Sequence, residues 1–245
     1  MQPEFPRDLQ PVRSDANAFG RTPATAGEAL PLQQRVLRNT YLLLAISLIP
    51  TAIGAAVGTS MDWSFLQANR FVSVIVLLAV FYGLIFAIER NRNSGLGVGL
   101  LLGFTFLMGV WLGPLLQHVL HLGNGGQLVM MAAGGTAVVF FAMASIATTT
   151  KRDLSKLGQF LAVGGIVLML AVLASLFFQS PAFILAILAA FILFSSLVIL
   201  WQVHAIVQGG ETNYISATLT LYIALYNLFT SLLQILGIFG GSNRN

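Results

Sequence analysis

The chain has 245 residues, of which 57 % are hydrophobic and only 8 % charged, with a formal net charge of +4 and no cysteine. A soluble domain carries roughly 25 % charged residues, so a water-soluble globule is excluded, and the lack of thiols excludes disulfides, thiol catalysis and cysteine-ligated metals. Most Lys and Arg stand beside apolar runs, where they set membrane orientation, so no nucleic-acid partner is expected and the lipid bilayer is.

In chain order, residues 1–38 read as a disordered tail. They are polar, mixed in charge and proline-containing, too poor in apolar clusters to offset the entropy of ordering and lacking the early apolar stretch of a signal peptide. Residues 39–245 read as one transmembrane domain of seven apolar runs, at about 40–58, 70–88, 96–116, 128–147, 158–178, 181–207 and 214–239. A hydrocarbon core of about 30 Å takes about 20 helical residues, and lipid offers backbone polar groups no other partner, so only helices or closed barrels can cross it. The runs are rich in Leu, Ile, Ala and Phe without the alternation of a barrel strand. The expected fold is therefore all-α, a bundle of seven transmembrane helices.

Within the third run, "GLGVGLLLG" holds Gly95, Gly97, Gly99 and Gly103. It follows no strand, so a dinucleotide loop is rejected, and the small-xxx-small pairs Gly95/Gly99 and Gly99/Gly103 are expected to allow close helix packing. Gly113-Pro114 is expected to end or kink this run. His118 and His121 follow, three apart, and read as interfacial histidines, since zinc chemistry needs a third ligand and a base. The fourth and fifth runs are joined by "TTTKRDLSKLG", where Lys151, Arg152, Asp153 and Lys156 fall within six residues.

Pro181 opens the sixth run at a first turn, where its missing amide costs nothing. Near that run's end lie Gln202 and His204. In the seventh run, Ser216, Thr220, Asn227, Ser231 and Gln234 share an arc of about 60° at 100° per residue. Such a stripe is expected to face the bundle, as helix–helix contact or as the lining of a polar pathway, with Gln202 and His204 meeting it.

Charge sets the expected orientation. Arg7, Arg13, Arg21, Arg35, Arg38, Arg90, Arg92, Lys151, Arg152 and Lys156 fall on one face, against Arg70 and Arg244 on the other. The positive-inside bias then places the N-terminus in the cytoplasm and the C-terminus outside, with "TTTKRDLSKLG" a cytoplasmic hinge. No Asp, Glu, Lys or Arg lies deep in a run, which argues against a proton-driven pump or a strong cation site. No constellation of nucleophile, base and orienter emerges, so neither an enzyme, a metal nor a cofactor is expected.

These stretches also carry a resemblance. "TTTKRDLSKLG" resembles the loop signature of the Bax inhibitor 1 family of seven-helix membrane proteins. "RVLRNTYLLL" (35–44), "GGTAVVFF" (134–141) and "GGETNYISATLTLYIALYNLFTSLLQILG" (209–237) narrow the likeness to its bacterial YccA branch. The resemblance implies the family's seven-helix fold, a bacterial inner-membrane location and, for this branch, partnership with an FtsH-type membrane-anchored ATP-dependent protease. The chain would be a substrate that also restrains the protease and so limits degradation of other membrane proteins. The alternative the family offers is a calcium or ion leak gated by two aspartates. The corresponding residues here are Gln202 and Ala224, so the resemblance does not bring that latch with it.

Overall fold

The computed structural model describes residues 31–64, 70–178 and 180–241. They form the helices α1 (Leu32–Thr59), α2 (Arg70–Arg90), α3 (Gly95–Trp111), α4 (Gly113–Leu120), α5 (Gly125–Thr149), α6 (Ser155–Ser175), α7 (Pro181–Val207) and α8 (Tyr214–Gly241), with no strand among the described residues. With α3 and α4 taken as one span, seven are long and apolar enough to cross a membrane. The expected tail falls outside the described residues as far as residue 30.

The start of α1 differs from expectation. It begins at Leu32, so residues 32–38, assigned above to the tail, are helical. This extra length is amphipathic: Val36 is buried with Ile206 of α7 and Ala217 of α8, while Arg35 and Arg38 stay exposed. A run of hydropathy misses such a segment because only one face of it is apolar.

The third span breaks where proline requires it. Leu112 separates α3 from α4, and Pro114 sits in the first turn of α4, where it leaves no helical hydrogen bond unmade. Glycines then decide how α1 crosses this span. A Cβ added to Gly54 would lie 3.0 Å from the Val110 nitrogen, and one on Gly109 would lie 2.8 Å from the Thr51 carbonyl carbon. Gly58 and Gly113 stand equally close to the opposing backbone. Two small-xxx-small pairs, Gly54/Gly58 and Gly109/Gly113, therefore interlock. The glycines expected to do this do not: a Cβ on Gly95, Gly99 or Gly103 would meet nothing within 4 Å. Those three occupy a face of α3 turned away from α1.

Among the described residues α8 is the central post, packed against every helix except α6, which packs on α7 and meets α2 where the Tyr82 hydroxyl donates to Met169 Sδ at 3.2 Å. Tyr222, Leu221, Leu228 and Leu233 of α8 are fully buried. The Tyr222 hydroxyl lies 2.8 Å from the Thr51 hydroxyl and donates to the Thr105 carbonyl at 3.2 Å, joining α8 to α1 and α3 at mid-depth. Its ring meets Phe104 edge-on at 6.0 Å. Buried hydroxyls in lipid need such partners, because no water is present to replace them.

Candidate functional site

The polar residues gather at two places along α8. The first is its start. Asn213 caps the helix, its Oδ1 accepting from the amides of Ile215 at 2.9 Å and Ser216 at 3.2 Å. Its Nδ2 reaches across to the Arg92 carbonyl at 2.9 Å and to Asn93 Oδ1 at 2.7 Å. Ser216, buried, donates to Glu89 Oε2 at 2.9 Å, and Arg92 pairs with the same oxygen at 3.5 Å. The start of α8 is thus pinned to the turn between α2 and α3. Neither Glu89 nor Asn213 was singled out from the sequence, although an Asn just before an apolar-periodic run is a capping signal.

The second place is the far half of the stripe. Asn227, Ser231 and Gln234, joined by Thr230, line a cavity of about 260 Å³ between α6, α7 and α8. Among the described residues the backbones of α6 and α8 do not approach each other closely, and this cavity lies in the gap between them. The stripe makes less interhelical contact than expected. Ser216 reaches α2, but Thr220 donates back to the Ser216 carbonyl at 3.1 Å and Gln234 to the Thr230 carbonyl at 3.3 Å, both within α8.

Gln202 and His204 do not gather on the stripe together. Residues two apart on a helix diverge by about 200°, so the pair points to different sides of α7. His204 Nδ1 lies 3.3 Å from the Ala147 carbonyl on α5. Gln202 is 2 % exposed, and its Nε2 has no partner. Ala224, the other position matching the family's aspartates, is also buried. No Asp, Glu, Lys or Arg is buried among the described residues, so nothing here provides two like charges in a low dielectric.

Lys151, Arg152 and Asp153, in the loop between α5 and α6, and Lys156, in the first turn of α6, are all exposed. The Ser155 hydroxyl and the Ser155 amide, at 2.8 Å, both donate to Asp153 Oδ1. These bonds hold the Asp153 carboxyl below the usual carboxylate range, with smaller help from His204 and Lys156. The loop is thereby folded onto the start of α6. Immediately beyond, Gly158 lets α6 approach the Trp201 ring of α7, where a Cβ would stand 2.8 Å from the indole nitrogen.

At the opposite end, His118 and His121 are exposed, and His121 Nδ1 bonds the Gln117 carbonyl. No three groups that could hold a metal converge among the described residues. Gln117, unremarked in the sequence, closes the end of α1 by donating to the carbonyls of Thr59 and Met61, each at 2.9 Å.

Comparison with known proteins adds what the geometry lacks. The family model described as "Inhibitor of apoptosis-promoting Bax1" matches residues 33–241. An uncharacterized protein of Neisseria meningitidis serogroup A is 50 % identical over 203 residues, covering 82 % of this chain and 89 % of that protein. One from Pseudomonas aeruginosa is 47 % identical over 208 residues, 85 % of this chain and 91 % of the other. The "Modulator of FtsH protease YccA" of Escherichia coli K12 is 43 % identical over 203 residues, 83 % of this chain and 90 % of that relative.

Proposed function

The chain belongs to the Bax inhibitor 1 family, and on that premise we propose that it is a membrane-embedded binding partner, substrate and modulator of an FtsH-type ATP-dependent protease. By occupying the protease it limits degradation of other membrane proteins. The observation that carries this reading is the 43 % identity, across 83 % of the chain, to a protein named as a modulator of that protease.

The physical picture supports it. A bundle pinned by interlocked glycines and by the central tyrosine resists extraction. The sequence ahead of α1, polar and proline-containing, has the composition of a segment that a processive protease can grip. The bundle is thus a slow substrate behind an easy handle, and its chemistry is binding rather than catalysis. The ion-leak alternative lacks its acidic pair, since Gln202 and Ala224 stand at those positions.

The same reading places the protein in the bacterial inner membrane, N-terminus cytoplasmic and C-terminus periplasmic. Ser216–Glu89 joins the start of α8 to the end of α2, and His204–Ala147 joins the end of α7, just ahead of α8, to the end of α5, so Arg90, Arg92, Lys151 and Arg152 share this side. Affinity purification of the full chain from native membranes tests the partnership. An FtsH-type protease should co-purify, and its absence from the bound fraction would remove the proposal.

A further inference from the structure

The backbones of α1 and α5 do not approach each other closely among the described residues, although both helices pack on α8 and the Tyr41 and Phe140 rings meet edge-on across the gap at 5.9 Å. Between them runs a groove of about 1180 Å³. Its α1 wall extends from Leu37 to Thr59, about 33 Å at 1.5 Å per residue, which matches the hydrocarbon thickness of a bilayer. Alanines keep it open: Ala45, Ala52 and Ala56 on one wall, Ala133, Ala137 and Ala144 on the other. Tyr222 forms part of the floor, and its hydroxyl is already engaged by Thr51 and Thr105, so the floor presents ring rather than polar group.

The two ends of the groove differ in charge. Arg38 lies 7, 14 and 18 residues ahead of Ala45, Ala52 and Ala56, on the same face of α1. Lys151 and Arg152 follow directly after α5, whose Thr148 lines the same end. All three cations are exposed, and the nearby acid, Asp153, is occupied by Ser155. At the far end the walls run out into Asp62 and the exposed His121.

The part of the α1 wall over residues 37–48 is about 16 Å long, close to the thickness of one leaflet.

We propose that this groove seats one two-chain anionic phospholipid, its phosphate against Arg38, Lys151 and Arg152 and its acyl chains along the adjoining half of the α1–α5 gap. Cations at one end and apolar walls behind them match the two parts of that molecule, and the opposite end offers a phosphate no Lys or Arg on either wall.

The test is native mass spectrometry of the purified full chain, delipidated in detergent and offered equal amounts of phosphatidylglycerol and phosphatidylcholine with identical chains. Wild type should retain one phosphatidylglycerol in preference to phosphatidylcholine. Replacing Arg38, Lys151 or Arg152 with Gln should reduce that preference, by about fivefold for each cation removed. Ala45→Trp, which fills the groove from an exposed wall position, should abolish retention of both lipids. Ile46→Trp, at the same depth but outside the groove, should leave it intact. Equal retention of the two lipids by wild type would overturn the proposal, as would undiminished retention by Ala45→Trp. Loss of a co-purifying membrane protein in Ala45→Trp with lipid retention unchanged would mean that the groove receives a protein segment, and would also overturn it. If Ala45→Trp fails to fold by circular dichroism, the three Gln variants decide alone.

Discussion

Adding one methyl group at Gly109 should loosen the whole bundle. The Cβ of Gly109→Ala would stand 2.8 Å from the Thr51 carbonyl carbon and 2.9 Å from its Cα, against an ordinary contact of about 3.5–4.0 Å. Both obstacles are backbone, so no rotamer change relieves them, and α1 must withdraw from α3 by about 1 Å. That displacement breaks the interlock of Gly54 and Gly58 and stretches the Thr51–Tyr222 hydrogen bond on the same stretch of α1. Overpacking of this kind costs about 1–3 kcal/mol. Gly103→Ala, two turns earlier on the same helix, meets nothing within 4 Å and should be neutral or stabilising by up to about 1 kcal/mol through helix propensity. Unfolding of both variants in mixed micelles, followed by circular dichroism, reads the difference. Equal stability of the two would refute the claim that glycine interlock sets the α1–α3 crossing.

Other expectations are as direct. Asn213→Ala removes the cap of α8 and its tie to the α2–α3 turn, and should lower stability by about 1 kcal/mol with faster amide exchange at Ile215 and Ser216. The Asp153 carboxyl, held below its usual range by Ser155, should keep the loop folded at neutral and mildly acidic pH and release it only as pH falls through that lowered value. In Ser155→Ala the titration midpoint of Asp153, read by NMR, should move up toward the ordinary carboxylate value; an unmoved midpoint would contradict the assignment. Deleting residues 1–20 should slow turnover in cells while membrane insertion is unchanged, and unaltered turnover would remove the tail's role as handle.

The architecture was legible because lipid makes it so. A continuous apolar run of about 20 residues has one way to satisfy its backbone, and all seven runs became helices near the expected places. The break at Gly113-Pro114 followed from proline chemistry in the same way. What escaped the sequence depended on which face of a helix meets which neighbour. Gly54 and Gly109 matter while Gly99 and Gly103 do not, and the small-xxx-small pattern is the same for both. The start of α1 lies outside the apolar run because only one face of it is apolar, the face on which Val36 is buried with Ile206 of α7 and Ala217 of α8. The polar residues of α8 meet different surroundings along the helix: Glu89 at Ser216, the gap beside α6 at Asn227, Ser231 and Gln234. Helical periodicity gives a direction, and only packing says what lies along it.

The central claim is that this bundle acts by occupying a protease. The measurement that tests it most directly is the rate at which a purified FtsH-type protease degrades a second membrane protein in proteoliposomes, with and without this chain. The account predicts slower degradation that scales with the amount of chain added and recovers as the chain itself is consumed. An unchanged rate at saturating amounts of the chain would contradict it.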